Sequence, residues 1–194
     1  MKKSLIIYLL GAVFLLTGCF GGGEDTLPEI PVFEGFSTYN ASTFAISIPD
    51  AWEVIEPRDF TEDIPAQTQI IFKDNVKSDR FTTNANITKQ LLNYPMTSLE
   101  FGRSEIAGNK TTLLNYREIS RNDEFKLIVG DKLHNTAYIL FEGKQSEGQP
   151  TLRIVQTFAV NGADAYTVTV AYLKNGDELV AEIAGNIIET FKVK

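Results

Sequence analysis

Apolar and polar residues alternate along most of the chain from residue 36 onward. In STFAISIPDAW, Phe44, Ile46 and Ile48 fall on one face, Ala45 and Ser47 on the other, and Pro49 ends the run. A period of two closed by a proline predicts a half-buried strand. QTQIIFKDN repeats the pattern with Ile70 and Phe72, and ANITKQLL predicts a third strand. TLRIVQTFAVNG alternates Leu152, Ile154, Phe158 and Val160, and DAYTVTVAYL alternates Tyr166, Val168, Val170 and Tyr172. Asn161-Gly162 lies between these two runs, so they predict an antiparallel hairpin with a somewhat long turn. TLLNYREIS and TAYILFEG read as further strands. Asp123 and Glu124, in SRNDEFK, read as an acidic hairpin turn.

Two segments change period. Thr97-Ser98-Leu99-Glu100 has the form of a capping box, in which the threonine hydroxyl and the glutamate carboxylate each satisfy a free backbone N–H. It predicts a helix from there to about Ile106, ended by Gly108. In GDELVAEIAGNIIETFKVK, Leu179, Ile183, Ile187 and Phe191 recur every four residues beside Val180 and Ile188. That is an amphipathic helix with one stripe on a sheet. Asp177 and Glu178 suit its positive end, and Lys192 and Lys194 its negative end. Gly185 weakens the helix by about 1 kcal/mol relative to alanine and reads as a point of close packing.

The first twenty residues, MKKSLIIYLLGAVFLLTGCF, follow neither pattern. Lys2 and Lys3 precede an apolar run from Leu5 to Leu16. As a helix this run would reach about 18 Å, against about 30 Å of hydrocarbon, so it fits a signal-peptide core better than a membrane span. No other segment approaches eighteen continuous apolar residues. Leu16-Thr17-Gly18-Cys19 resembles the lipobox of bacterial lipoproteins. The resemblance implies that Cys19, the only cysteine, carries a diacylglyceryl group on its sulfur and that cleavage falls between Gly18 and Cys19. Small residues let a peptidase reach the backbone, and the thiol is the nucleophile for lipid transfer. Each buried CH₂ contributes about 0.8 kcal/mol, so two or three acyl chains anchor stably where one does not. Phe20 stands where the inner-membrane retention aspartate would be. The resemblance therefore places the protein at the outer membrane of a two-membrane bacterium, or on the outer face of the plasma membrane of a one-membrane organism.

GGGEDTLPEIPVFEGFS follows. Three glycines, Pro28, Pro31 and the acidic residues describe a solvated, extended tether. The expected organisation is a lipoprotein signal peptide at 1–18, a flexible tether at 19–35 and one domain at 36–194. The fold class is α+β, an antiparallel sheet flanked by helices.

Composition narrows the function. The formal charge is −7, and removal of Lys2 and Lys3 with the signal peptide makes it −9. A phosphate-tracking nucleic-acid binder needs concentrated positive charge, so no nucleic-acid partner is expected. One cysteine excludes an internal disulfide, and one histidine excludes His-pair zinc motifs. No metal and no cofactor are expected. Asn40, Asn86 and Asn109 head N-x-[ST] triplets, which a bacterial lipobox makes chance matches.

The order of elements, with Phe44-x-Ile46-x-Ile48-Pro49-x-x-Trp52 near the start and Ile187-Ile188-x-x-Phe191 at the close, resembles the PsbP/Mog1-like superfamily, which includes lipoproteins of the DcrB and LpqN type. The resemblance implies an α/β/α sandwich around an antiparallel sheet and a non-catalytic binding or assembly module. The matched positions build the core, so no functional residue is carried over.

Weighed singly, the remaining candidates read as structural. His134 is a surface or loop histidine rather than a general base, since no nucleophile motif accompanies it. Asp123 and Glu124 lack calcium-loop spacing. Trp52 reads as core rather than a binding platform. DNVKSDRF and EGKQSEGQP read as solvated loops. The expected function is a membrane-anchored extracytoplasmic module that binds an envelope protein and is not an enzyme. The alternatives are a carrier of a small apolar or lipid-like ligand, held between sheet and helices, and an envelope enzyme.

Overall fold

A computed structural model describes residues 27–76 and 78–194. Gly18 and Cys19, with the expected signal peptide and the first part of the expected tether, lie outside the described residues. Ten strands form one sheet: β1 (Phe36–Asn40), β2 (Phe44–Pro49), β3 (Glu53–Ile55), β4 (Thr68–Lys73), β5 (Asn84–Leu91), β6 (Leu114–Val129), β7 (Lys132–Lys144), β8 (Leu152–Asn161), β9 (Asp164–Leu173) and β10 (Lys192–Val193). Their order is β1-β2-β10-β6-β7-β8-β9-β5-β4-β3. Helix α1 (Ser98–Thr112) joins β5 to β6, and α2 (Glu178–Glu189) joins β9 to β10.

The expected sheet and both helices are present, and the β8–β9 hairpin closes at Asn161 and Asp164 through a two-residue turn, tighter than the long one expected, with Gly162 at φ 64. The sheet is mixed rather than purely antiparallel, because β10 runs parallel to β6. Alternation gives the sheet two faces. Ala137, Ile139, Phe141, Phe158 and Val160 form a small core with Phe101 and Ile106 of α1. The opposite residues of the same strands join the large core, which holds Phe44, Ile46, Ile70, Phe72, Ile87, Val168 and Val170 under Ala184, Ile187 and Ile188 of α2. The helices thus lie on opposite faces. The sheet is curled, and α2 sits inside the curl, so the layering of a flat sandwich is met only in part.

Each helix corrects a sequence expectation. The capping box of α1 forms as read, with Thr97 N donating to Glu100 Oε2 at 2.8 Å and Glu100 N to Thr97 Oγ1 at 3.2 Å. Gly108 does not end the helix. It keeps a helical negative φ and is exposed, so the helix runs on to Thr112. In α2, Leu179 is 58% exposed. At 100° per residue it lies about 140° around the helix from Ala184, well off the buried stripe. Gly185 makes no close approach, since a Cβ there would meet nothing within 4 Å. Phe191 is buried beyond the helix end, and Lys192 enters a strand instead of facing the helix dipole. Thr190 fixes that end. Its Oγ1 donates to Ile187 O at 2.9 Å and accepts from Ser47 N of β2 at 2.9 Å.

The acidic turn is also corrected. Asp123 and Glu124 lie within β6, where the register with β7 shifts between Asn122 and Phe125. The turn comes later, at Gly130, whose φ of 63 suits glycine. A bulge absorbs the extra polar residues that local composition presents as a turn. Beyond its two residues paired with β10, the outer edge of β6 has no strand partner among the described residues. Bulges and the charges of Arg117, Glu118, Arg121 and Asp123 blunt that edge against further pairing.

Candidate functional site

Cross-strand register assembles a cationic cluster around one buried carboxylate. Arg117 of β6 pairs with Glu142 of β7, Glu142 with Arg153 of β8, and Arg153 with Tyr172 of β9. Lys174 follows β9 directly. Arg117 donates from Nε and Nη2 to Glu142 Oε2 at 3.2 and 2.9 Å. Lys174 Nζ lies 2.9 Å from the same oxygen, and Arg153 Nε donates to Oε1 at 3.4 Å. The Glu142 side chain is 2% exposed, while those of Arg117, Arg153 and Lys174 are 62%, 37% and 42% exposed. Burial pushes the Glu142 carboxyl up. The hydrogen bonds from Lys174, Arg117 and Arg153 more than reverse this and hold it at about 2. An open pocket of about 370 Å³ adjoins the cluster, lined by Arg80, Thr151, Leu173, Lys174 and Asn175.

Sequence reading missed this site. EGKQSEGQP reads as a polar loop, but its first three residues belong to β7, and Glu142 continues that strand's alternation toward the large-core face. A local signal existed in that alternation. The three cations come from other strands, and nothing local announces their arrival.

The residues singled out from sequence do not come together. His134 sits in β7 opposite Leu127, partly buried. Among the described residues, no group of three or more His, Cys, Asp or Glu is placed to hold a metal ion. Asp123 receives Arg121 Nε at 2.5 Å and Arg103 Nε at 3.0 Å. The Arg121 hydrogen bond, opposed by burial and helped by Arg103, holds its carboxyl below the usual range. Glu124 N donates to Asn122 Oδ1 at 2.9 Å, a bond local to the bulge. Trp52 is core, as read.

Residues 27–35, expected from sequence to be the end of a tether, run along the domain. Ile30 lines one cleft with Phe125, Leu127 and Phe191, and another with Ala45, Ser47 and Thr190. Phe33 packs on Phe36 at 5.6 Å between ring centroids, and Asp50 N donates to Gly35 O at 2.8 Å. Toward its N-terminal side the tether reaches Leu27, which shares a shallow cleft with Gly130, Lys192 and Lys194. Several chain reversals converge at this end. Lys194 N donates to Thr43 O at 2.8 Å, and Asn161 Nδ2 donates to Lys194 O at 3.1 Å. Glu142 lies ten residues along β7 from Lys132 at this end, so the cluster stands roughly 33 Å away, toward the opposite end of the sheet.

No protein-family model matches the chain, and no curated protein matches it by sequence. Solved structures do. The cyanobacterial PsbP (CyanoP) of Synechocystis sp. PCC 6803 superposes with a TM-score of 0.55 at 10% identity, covering 92% of this chain and 99% of that one. LpqN of Mycobacterium tuberculosis, described as involved in cell envelope biogenesis, superposes with a TM-score of 0.51 at 11% identity, covering 82% and 90%. At these identities the likeness concerns the fold. The chain has the PsbP-like fold, a curled mixed sheet with two helices, shared with CyanoP and LpqN.

Proposed function

We propose that this chain is a lipid-anchored extracytoplasmic protein whose PsbP-like domain binds or assembles with an envelope protein and performs no catalysis. The observation that carries the reading is the seating of the tether. Ile30 and Phe33 lean on the domain, and Leu27, the first described residue, lies beside Gly130 and Lys194. An anchor on Cys19, eight residues before Leu27, would lie within about 28 Å of it. The end bearing Gly130 and Lys194 would then face the membrane, and the Glu142 end would face outward. Two further points support the reading: the lipobox at Leu16–Cys19, and the envelope role stated for LpqN, which shares the fold. The space that an apolar ligand would need beneath α2 is filled by Ile70, Phe72, Ile87, Ala184, Ile187 and Ile188, each at or near zero exposure. That favours a binding surface over a ligand carrier.

The test has two parts. Cells making the full chain are fed a labelled fatty acid. The wild type should take up label and sediment with membranes, and the Cys19→Ser variant should do neither. Equal membrane association of both would remove the lipid anchor from the reading. Crosslinking from position Gln145, at the outward end, should then capture one specific envelope protein in the producing cells. Capture of none, with a lipid co-purifying instead, would overturn the binding-module reading in favour of the carrier.

A further inference from the structure

We infer that the cluster of Arg117, Arg153 and Lys174 around Glu142 is a binding site for a phosphate group. One buried carboxylate is neutralised by one cation. Here three converge on it, so two positive charges remain unbalanced within a chain whose formal charge is −7. Packing like charges together is unfavourable unless something anionic completes the set.

The donors are also not exhausted. A guanidinium offers five N–H groups and an ammonium three. Arg117 commits two of its nitrogens to Glu142, Arg153 gives Nε to Glu142 and also reaches the Tyr172 hydroxyl, and the Lys174 ammonium makes a single contact, so each cation keeps N–H groups to spare. The remaining donors sit on side chains more than a third exposed, while the carboxylate that orients them is buried. Glu142 thus acts as a positioning residue that holds two forks and a point charge in fixed relation. Arg80 and Lys174 line the adjoining pocket of about 370 Å³, which adds a fourth cation on one side and room for the group that bears the phosphate. Planar guanidinium forks match the oxygens of a tetrahedral phosphate in a bidentate way. Among the described residues, no other ion-paired cluster carries a surplus of two. Arg103, Arg121 and Lys110 face two carboxylates, Asp123 and Glu118, a surplus of one, and Lys89 is paired one-to-one with Asp164.

The site does not depend on the tethering reading. Its source does: if the chain is anchored through Cys19, the cluster faces away from the anchoring bilayer, and the phosphate belongs to a soluble molecule or an envelope polymer.

The experiment titrates pyrophosphate and inorganic phosphate into the full chain in neutral detergent at low ionic strength, followed by calorimetry. Saturable binding is expected, weakened at least tenfold in Arg153→Gln and in Lys174→Gln and unchanged in Arg103→Gln. Lys174→Gln guards against misfolding, because it leaves Glu142 both of its arginines. Its circular dichroism should match the wild type and its unfolding should stay cooperative, with a modestly lower melting point because Lys174 also supports the Glu142 carboxylate. Absence of saturable binding, or equal binding by all variants, would overturn the inference. Binding of an oligoglutamate peptide but not of pyrophosphate would overturn it in favour of a carboxylate partner. A parallel arm floats the protein with phosphatidylglycerol or phosphatidylcholine vesicles. Flotation specific to phosphatidylglycerol and lost in the same variants would keep the site and assign the phosphate to a lipid headgroup. Pyrophosphate binding without such flotation would keep the site and assign a soluble or polymeric source. The vesicle arm is read on chain that carries no acyl group, because an acylated chain would float with either lipid, and flotation through the cluster would also count against the outward orientation proposed above.

Discussion

Tyr39 of β1 meets Phe72 of β4 edge-on, with ring centroids 5.4 Å apart. These strands stand near opposite ends of the sheet order, so the contact closes the curl around the large core. Aromatic pairs of this geometry contribute about 0.5–1.5 kcal/mol beyond their buried area. A double-mutant cycle with Tyr39→Leu and Phe72→Leu should return a coupling energy in that range by urea denaturation. Strict additivity would mean that the two ends of the sheet do not depend on each other.

The glycines of the two helices should respond in opposite directions. A Cβ on Gly102 would stand 2.7 Å from Phe158 Cδ2 and 3.2 Å from Ala137 Cβ. Overpacking of this kind costs about 1–3 kcal/mol, more than the roughly 1 kcal/mol of helix propensity gained. Gly102→Ala should therefore lower the melting temperature. Gly185 faces open space, so Gly185→Ala should raise stability by about 0.5–1 kcal/mol. The apolar spacing of α2 was legible in the sequence, but which glycine touches the sheet was not. That depends on how each helix is rolled against strands distant in the chain.

Glu142 gives the fold a distinct acid response. Its carboxyl is held at about 2 in the folded chain, below the ordinary glutamate value of about 4.3. Between those values the unfolded chain binds more protons. The stabilisation is therefore complete above about pH 4.3 and is lost as pH falls through about 2. Denaturant midpoints measured from pH 7 down to pH 2 should show a loss on the order of 2–3 kcal/mol attributable to this group. Glu142→Gln should lack that part of the acid dependence and should already be less stable at pH 7. An acid profile unchanged by the substitution would show that the three cations do not depend on the carboxylate.

Tyr116 carries a hydroxyl that gains little from being there. Its ring stacks on Phe141 at 5.2 Å, and its Oη is buried without a hydrogen-bond partner among the described residues. Burial first, and the Glu118 charge second, push the phenol up to about 12. Removing an unsatisfied buried polar atom is neutral or favourable. Tyr116→Phe should melt at or above the wild-type temperature, and a loss greater than about 1 kcal/mol would reveal a partner for the hydroxyl.

Local pattern alone predicts the strands Phe44–Pro49, Thr68–Lys73, Leu152–Asn161 and Asp164–Leu173, the capping box at Thr97, and Trp52 as core. Each depends on residues adjacent in the chain, whose periodicity sets which way side chains point. The remaining features come from contacts between distant parts of the chain. These draw Lys192–Val193 into a parallel pair with β6, and they place Asp123 and Glu124 in a bulge. They also bring Arg117, Arg153 and Lys174 onto Glu142 from positions between 11 and 32 residues away. Strand register across a curled sheet has no local signature, because it is fixed by how the whole core packs.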